Sequence, residues 1–296
     1  MKKITSIYKK SINENLKEIN FILRKLKIND QNIFLSCERF LNLSADNIIN
    51  KWLSGTKYCR TYFVQKAFGK IYPTKYLQLS LSIDAMVNIL DDLLDELLDK
   101  KEKSKYVIEF LRIFSIYNKE HPSKIISELF FEYLNKLIAL AIAEDFYQKM
   151  ISREENIDKI ITSSVDLLIC RGMDIDIFNK IALLENKGIK KKKVVEDMGR
   201  IFRAVNILKK DIKDIEHDEK NNIKTMITLV RSRRDINFLF YITGILDLFT
   251  KKVNLILNRV NLDLDKDNPQ FMPIYNFSEM IKEDQKEIQK FLNNNY

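Results

Sequence analysis

The sequence predicts an all-α protein, a large single-domain helical bundle, and three observations carry that prediction. The 296 residues include only 6 Gly and 4 Pro, too few for a sheet protein, which needs a turn roughly every ten positions. Apolar residues make up 46% of the chain and recur at helical spacing in long runs with few interruptions. No Ser- or Gly-rich linker and no internal repeat divides residues 1–296, so they read as one domain able to bury a sizeable core.

Helical periodicity covers roughly residues 4–27, 45–69, 74–100, 103–118, 122–151, 155–185, 190–218, 235–262 and 276–293. Pro73, Pro122 and Pro273 each stand just before such a run, where a missing N–H costs little. Gly188 and Asn221–Asn222 mark breaks between runs. The polar stretch from Asn261 to Pro273, with its two prolines, reads as a loop.

Net charge is +9, with lysine dominating arginine. Such a balance suits nucleic acid, an anionic membrane surface or an anionic small ligand. The lysines are spread along the chain except at Lys190–Lys193, and no zinc finger, RNA-binding aromatic motif or basic zipper accompanies them. Nucleic acid is therefore not the expected partner, and a solvated lysine-rich surface accounts for most of the excess. Cys37, Cys59 and Cys170 are odd in number and far apart, which offers neither a metal spacing nor a disulfide framework and fits a reducing cytoplasm. The N-terminal residues lack the apolar core of a signal peptide. The most apolar stretch, Phe238 to Phe249, is too short to span a bilayer and contains Asp247. The expectation is a cytoplasmic protein that is not transmembrane.

The segment YLQLSLSIDAMVNILDDLLDELLD carries the first chemical signal. From Tyr76 to Leu90 it is apolar on nearly every side, as suits a helix in the middle of a bundle. It then runs into Asp91, Asp92, Asp95, Glu96 and Asp99, of which Asp91, Asp95 and Asp99 share one stripe at i, i+4, i+8. Stacked like charges at this spacing repel, and near a helix C-terminus the dipole disfavours them further. A bound cation relieves both costs. An amphipathic helix with a solvated acidic face remains the plain alternative.

A second acidic segment, GRIFRAVNILKKDIKDIEHD, begins at Gly199. Ile201, Val205, Leu208, Ile212 and Ile215 mark its buried face. At roughly 100° per residue, Asp211, Asp214 and Asp218 fall within an arc of about 60° beside that face. They point along the edge of the core, where carboxylates without partners are costly. Ion pairing with lysines is one remedy; a shared divalent cation, held together with substrate phosphates as Mg²⁺ usually is, is another.

With these residues in view the chain resembles the trans-polyprenyl diphosphate synthases, which have the class I isoprenoid synthase fold. The resemblance covers approximately residues 50–230 and rests on an ordered set of motifs. Asp91, Asp92, Leu93, Leu94 and Asp95 match the first aspartate-rich motif in full. Asp211 and Asp214 match the later aspartates of the second, with Lys210 in its first place. Lys57 and Arg60 keep the Lys-x-x-Arg spacing of the family's basic segment upstream of the first motif, with Thr61 where the family has proline. Arg171, in CRGMDIDIF, stands where the family places a cation that senses the allylic diphosphate. By residue composition alone Asp174 is its plausible structural partner. The basic element that follows the first motif in the family is missing, a Gly-Gln element between the motifs is absent, and Asp84 replaces a histidine.

What the resemblance implies is a bundle of the isoprenoid synthase type that binds Mg²⁺ through Asp91, Asp92, Asp95, Asp211, Asp214 and Asp218. Lys57 and Arg60 would hold isopentenyl diphosphate, and Arg171 an allylic prenyl diphosphate. The product would be a longer polyprenyl diphosphate and the protein a homodimer. Ile83, Met86, Val87 and Leu90 could line an apolar pocket for the allylic cation. A terpene synthase or head-to-head condensing enzyme on the same fold, and a non-catalytic subunit of a heteromeric synthase, are the alternatives. His217 beside Asp218 reads as a surface residue. Replacing Asp91 or Asp92 by Ala is expected to abolish turnover while leaving the helical circular-dichroism signal intact; activity retained in both variants would remove the metal-site assignment.

Overall fold

A computed structural model describes residues 59–69, 124–221, 223–260 and 268–296, together with Lys17 and the helical residues Ser80, Leu81, Ile83 and Asp84. Among these residues every regular element is a helix and none is a strand, so the fold is all-α. The helices are α1 (Cys59–Phe68), α2 (Lys124–Arg153), α3 (Ile157–Arg171), α4 (Asp176–Glu185), α5 (Lys192–Lys213), α6 (Ile215–Lys220), α7 (Met226–Arg231), α8 (Phe238–Arg259) and α9 (Met272–Asn295). The expected runs 4–27, 74–100 and 103–118, and 45–69 up to α1, lie outside the described residues apart from those few positions.

Local chemistry sets the helix ends. Asn156 caps α3 by accepting from the N–H groups of Asp158 and Lys159, and Asn237 caps α8 by accepting from Phe240 N–H. Thr225 and Thr228 exchange side-chain and backbone hydrogen bonds in a reciprocal cap that starts α7, a helix too short to announce itself by periodicity. Pro273 sits in the first turn of α9, which begins at Met272, ahead of the position expected.

Two expected helices are each broken in two. The run 155–185 is interrupted by a 3₁₀ turn, Gly172–Ile175, between α3 and α4. The break lies where α5 presses closest: a Cβ on Gly172 would meet Arg200 O at 2.5 Å. The run 190–218 ends its first part at Lys213, with Asp214 at φ −91°, ψ 0°, and resumes as α6. Register survives the break, since Asp218 N–H still donates to Asp214 O at 2.9 Å.

Contacts divide the chain into two compact units, Met1–Lys66 with Lys70–Phe130, and Ala67–Gly69 with Phe131–Tyr296. In the first, Arg60 donates to Asp84 Oδ1 at 3.1 Å and Thr61 N–H to Asp84 Oδ2 at 2.9 Å, both buried beside Phe63, Val64, Leu81 and Ile83. In the second, α5 packs against α9, α3, α4, α8 and the 3₁₀ turn. Its apolar face buries Val195, Met198, Ile201, Phe202, Val205, Leu208 and Ile212. Phe202 meets Phe277 of α9 with ring centroids 5.8 Å apart. Helices α5 and α9 run parallel: contacts pair Lys190 with Gln270, Phe202 with Phe277, Asn206 with Asp284 and Lys213 with Glu287. Gly199 permits the approach of α4, because a Cβ there would meet Asn179 Nδ2 at 2.3 Å. No helix of the described residues is long and apolar enough to cross a membrane.

Glu185, the last residue of α4, has both carboxylate oxygens buried without a hydrogen-bond partner among the described residues, and burial pushes its pKa up to about 7. A carboxyl raised in the folded state stabilises fully below its unfolded pKa and loses that contribution as pH rises to the folded value. Stability should therefore fall from about pH 4.5 to about pH 7. Glu185→Gln should flatten that slope and gain about 1–2 kcal/mol at pH 8, a figure discounted for the partly solvated stem. Urea unfolding at pH 5 and pH 8 checks both.

Candidate active site

The polar side of α5 is built on a spacing of three. Arg200, Arg203, Asn206 and Lys209 follow one another at that interval, and at 3.6 residues per turn such a stripe regresses by about 60° per step. It therefore winds from the side facing α4 and the 3₁₀ turn to the side facing α9. Acidic partners meet it along the way. Arg200 makes a forked pair with Asp176, Nε to Oδ1 at 2.7 Å and one terminal nitrogen to Oδ2 at 2.6 Å. Lys136 of α2 reaches the same Asp176 oxygen at 2.6 Å. Arg203 forks onto Asp174 at 3.0–3.1 Å and donates to Asn206 Oδ1 at 2.8 Å. Asn206 and Lys209 both donate to Asp284 of α9, while Lys213 lies 3.1 Å from Glu287.

Arg171 ends α3 just before the 3₁₀ turn, a placement that aims its side chain at the far end of α5. One terminal nitrogen donates to Asp211 Oδ2 at 2.5 Å, and Nε lies 3.5 Å from Glu144 of α2. Burial works against its charge, but Asp211 and Glu144 outweigh burial and raise its pKa above the ordinary arginine value. The Arg171 side chain as a whole is 25% exposed. Asp174, the partner expected for Arg171, is hydrogen-bonded by Arg203 and acts on Arg171 through its charge.

The second acidic segment lies where its periodicity puts it. Asp211 is 6% exposed and Asp218 9%, with Asp214 half-buried at the junction of α5 and α6. Asp211 gains an arginine, not a lysine, as its partner; Lys209 and Lys213 turn to α9. Burial raises the Asp218 carboxyl above its usual range; a hydrogen bond with His217 opposes the rise, and the charges of Asp211 and Asp214 add to it. His217 lies 3.6 Å from Asp218 and is 73% exposed, a surface residue as expected. Beneath them Tyr241 donates to Ser164 at 2.7 Å, and its phenol is held protonated by burial, with Asp211 adding to the effect.

Asp91, Asp92, Asp95 and Lys57 lie outside the described residues. Arg60 is buried in the first unit and paired with Asp84. Glu144, Arg200, Arg203, Asp176 and Asp284 were not expected; the three-residue spacing on α5 was the available signal for the two arginines. Among the described residues no group of three or more His, Cys, Asp or Glu side chains is arranged to hold a metal ion by itself. Asp211, Asp214 and Asp218 are among those residues and do not form such a group; as hard oxygen donors they have the chemistry Mg²⁺ takes, which is normally one or two carboxylates with substrate phosphates supplying the rest.

A double-mutant cycle of Arg171→Met and Asp211→Asn, followed by urea unfolding, should give a coupling energy of about 1–3 kcal/mol, the range for contacting buried charges. Additive effects within about 0.5 kcal/mol would show that the pair contributes nothing.

Comparison with protein-family models, with curated proteins and with solved structures finds no match to this chain.

Proposed function

We propose that this chain is a Mg²⁺-dependent prenyltransferase that ionises an allylic prenyl diphosphate and condenses it with isopentenyl diphosphate. The observation that supports the reading is the end of α5, where Arg171 pairs with Asp211, and Asp214 and Asp218 follow along the same edge of the core. An arginine fork suits a diphosphate, and clustered carboxylates that repel one another favour a bound divalent cation. Asp211, Asp214 and Asp218 would hold Mg²⁺, with Asp91, Asp92 and Asp95 added by the resemblance. When bound, Mg²⁺ neutralises charge on the departing diphosphate.

The chain's own groups do the rest. Asp211 and Glu144 hold the Arg171 guanidinium in place, where it would bind the phosphoryl oxygens. The bond between carbon and the diphosphate oxygen breaks with both electrons leaving on oxygen. The double bond of isopentenyl diphosphate attacks the allylic cation, and loss of a proton from the adjacent carbon restores a double bond. No protein nucleophile takes part.

One observation favours a second reading. Arg60, which the resemblance gives to isopentenyl diphosphate, is 6% exposed and hydrogen-bonded to Asp84. Breaking a buried pair of this kind costs about 3–5 kcal/mol, and Asp84 would repel an incoming diphosphate. A reaction that needs no homoallylic diphosphate, such as a terpene synthase or head-to-head condensation, avoids that cost.

Purified protein incubated with labelled isopentenyl diphosphate and a series of allylic diphosphates, with Mg²⁺ or with EDTA, separates the readings. An EDTA-sensitive, longer prenyl diphosphate is the result expected for chain elongation. Mg²⁺-dependent release of pyrophosphate without elongation would transfer the assignment to the second reading. No reaction with any donor would overturn both and leave a non-catalytic subunit.

A further inference from the structure

The loop between α4 and α5 carries a feature that the proposed reaction does not use. Residues 187–193 read KGIKKKK, five lysines in seven positions, and every one of those lysines is exposed. Lys193 is engaged with Glu196 at 3.7 Å and Asp197 at 3.2 Å. Lys187, Lys190, Lys191 and Lys192 make no ion pair among the described residues. Four uncompensated ammonium groups therefore share one loop.

The loop's backbone is fixed. Lys191 holds the left-handed conformation, φ 54° and ψ 45°, which is uncommon for a residue with a Cβ. Its carbonyl accepts from Val194 and Val195 N–H, Lys190 N–H donates to Gln270 O at 3.1 Å, and Ile189 N–H donates to Asn186 O at 3.0 Å. These bonds hold the loop against the start of α9 and leave the lysine side chains outside. Gly188 faces open space: apart from its own chain neighbours, no atom lies within 4 Å of where a Cβ would sit. The apolar neighbours are aliphatic: Leu184 is 40% exposed, and Ile189 is half-buried between Lys187 and Lys190.

We propose that Lys187, Lys190, Lys191 and Lys192, with Leu184 and Ile189 among them, form a docking surface for an anionic lipid bilayer. Lysine is a point charge matched to diffuse headgroup charge, whereas single-strand recognition stacks bases on aromatic rings and arginine, neither of which this loop presents. Exposed aliphatic side chains among the charges can enter the headgroup boundary. The contact is peripheral, because no described helix is built to cross a membrane. The inference stands on the loop alone and does not require the proposed reaction.

Flotation of the full chain with vesicles tests it, using phosphatidylcholine alone and phosphatidylcholine with about a third phosphatidylglycerol. Each lysine near an anionic surface strengthens binding about fivefold, so a Lys187→Ser, Lys190→Ser, Lys191→Asn, Lys192→Ser variant should bind anionic vesicles about 100-fold or more weakly. The matching Lys→Arg variant should bind as the wild type does. Wild-type binding should also collapse between 50 and 500 mM NaCl, on the order of a Debye length shortened threefold, which keeps the test decisive if the serine variant does not fold. Equal binding to neutral vesicles, binding that survives high salt, or no binding would each overturn the proposal. Tighter, lysine-dependent binding to a mixed-sequence RNA than to anionic vesicles would overturn it in favour of nucleic acid.

Discussion

The second unit depends on the polar stripe that winds around α5. A central helix packed on several sides by others must bury some of its polar residues, and each buried charge left alone would cost several kcal/mol. The three-residue spacing of Arg200, Arg203, Asn206 and Lys209 resolves this by carrying the charges around the helix in step with the arrival of acidic partners. Asp176 and Asp174 meet the stripe at one end and Asp284 at the other. The same pairings fix neighbours: the 3₁₀ turn is tied through Asp174, α4 and α2 through Asp176, and α9 through Asp284. Gly172 and Gly199 allow the close approaches that such short bonds require.

The candidate site is what remains where that stripe ends. Lys209 and Lys213 turn to α9, and Asp211 finds its partner across the bundle, in Arg171. Burial, with the charges of Asp211 and Asp214 adding to it, raises the Asp218 carboxyl above its usual range. Structural pairing thus accounts for most of the buried charge in this unit but not for this corner. An arginine paired with one carboxylate of an acidic segment is an arrangement on which an anion–divalent cation complex is proposed to assemble.

Much of this was legible in the sequence. The scarcity of Gly and Pro gave the all-α class, and periodicity placed α2, α8 and most of α9 to within a few residues. The 4-3-4-3 apolar pattern from Ile201 to Ile215 put Asp211 and Asp218 at the core's edge, where they lie. What was not legible depended on tertiary contact. The 3₁₀ turn at Gly172 answers to the backbone of Arg200, which lies far along the chain. Helix α7 rests on a reciprocal threonine cap and too few residues for a period to show. Asp174 was read as the partner of Arg171 because it is near in sequence, whereas the turn rotates it toward Arg203. Asp284, embedded in the polar run EDQKE, gave no sign of being 7% exposed beneath two donors.

Arg171 with Asp211, Asp214 and Asp218 is proposed as a site for a diphosphate and Mg²⁺ together. Calorimetric titration of inorganic pyrophosphate, with and without Mg²⁺, addresses it without assuming any reaction. The account predicts pyrophosphate binding that strengthens at least tenfold when Mg²⁺ is present, and that is lost both in Arg171→Met and in a combined Asp214→Asn, Asp218→Asn variant, a change of about 1.4 kcal/mol per tenfold in affinity. Pyrophosphate binding that is absent, indifferent to Mg²⁺, or unchanged in those variants would contradict it.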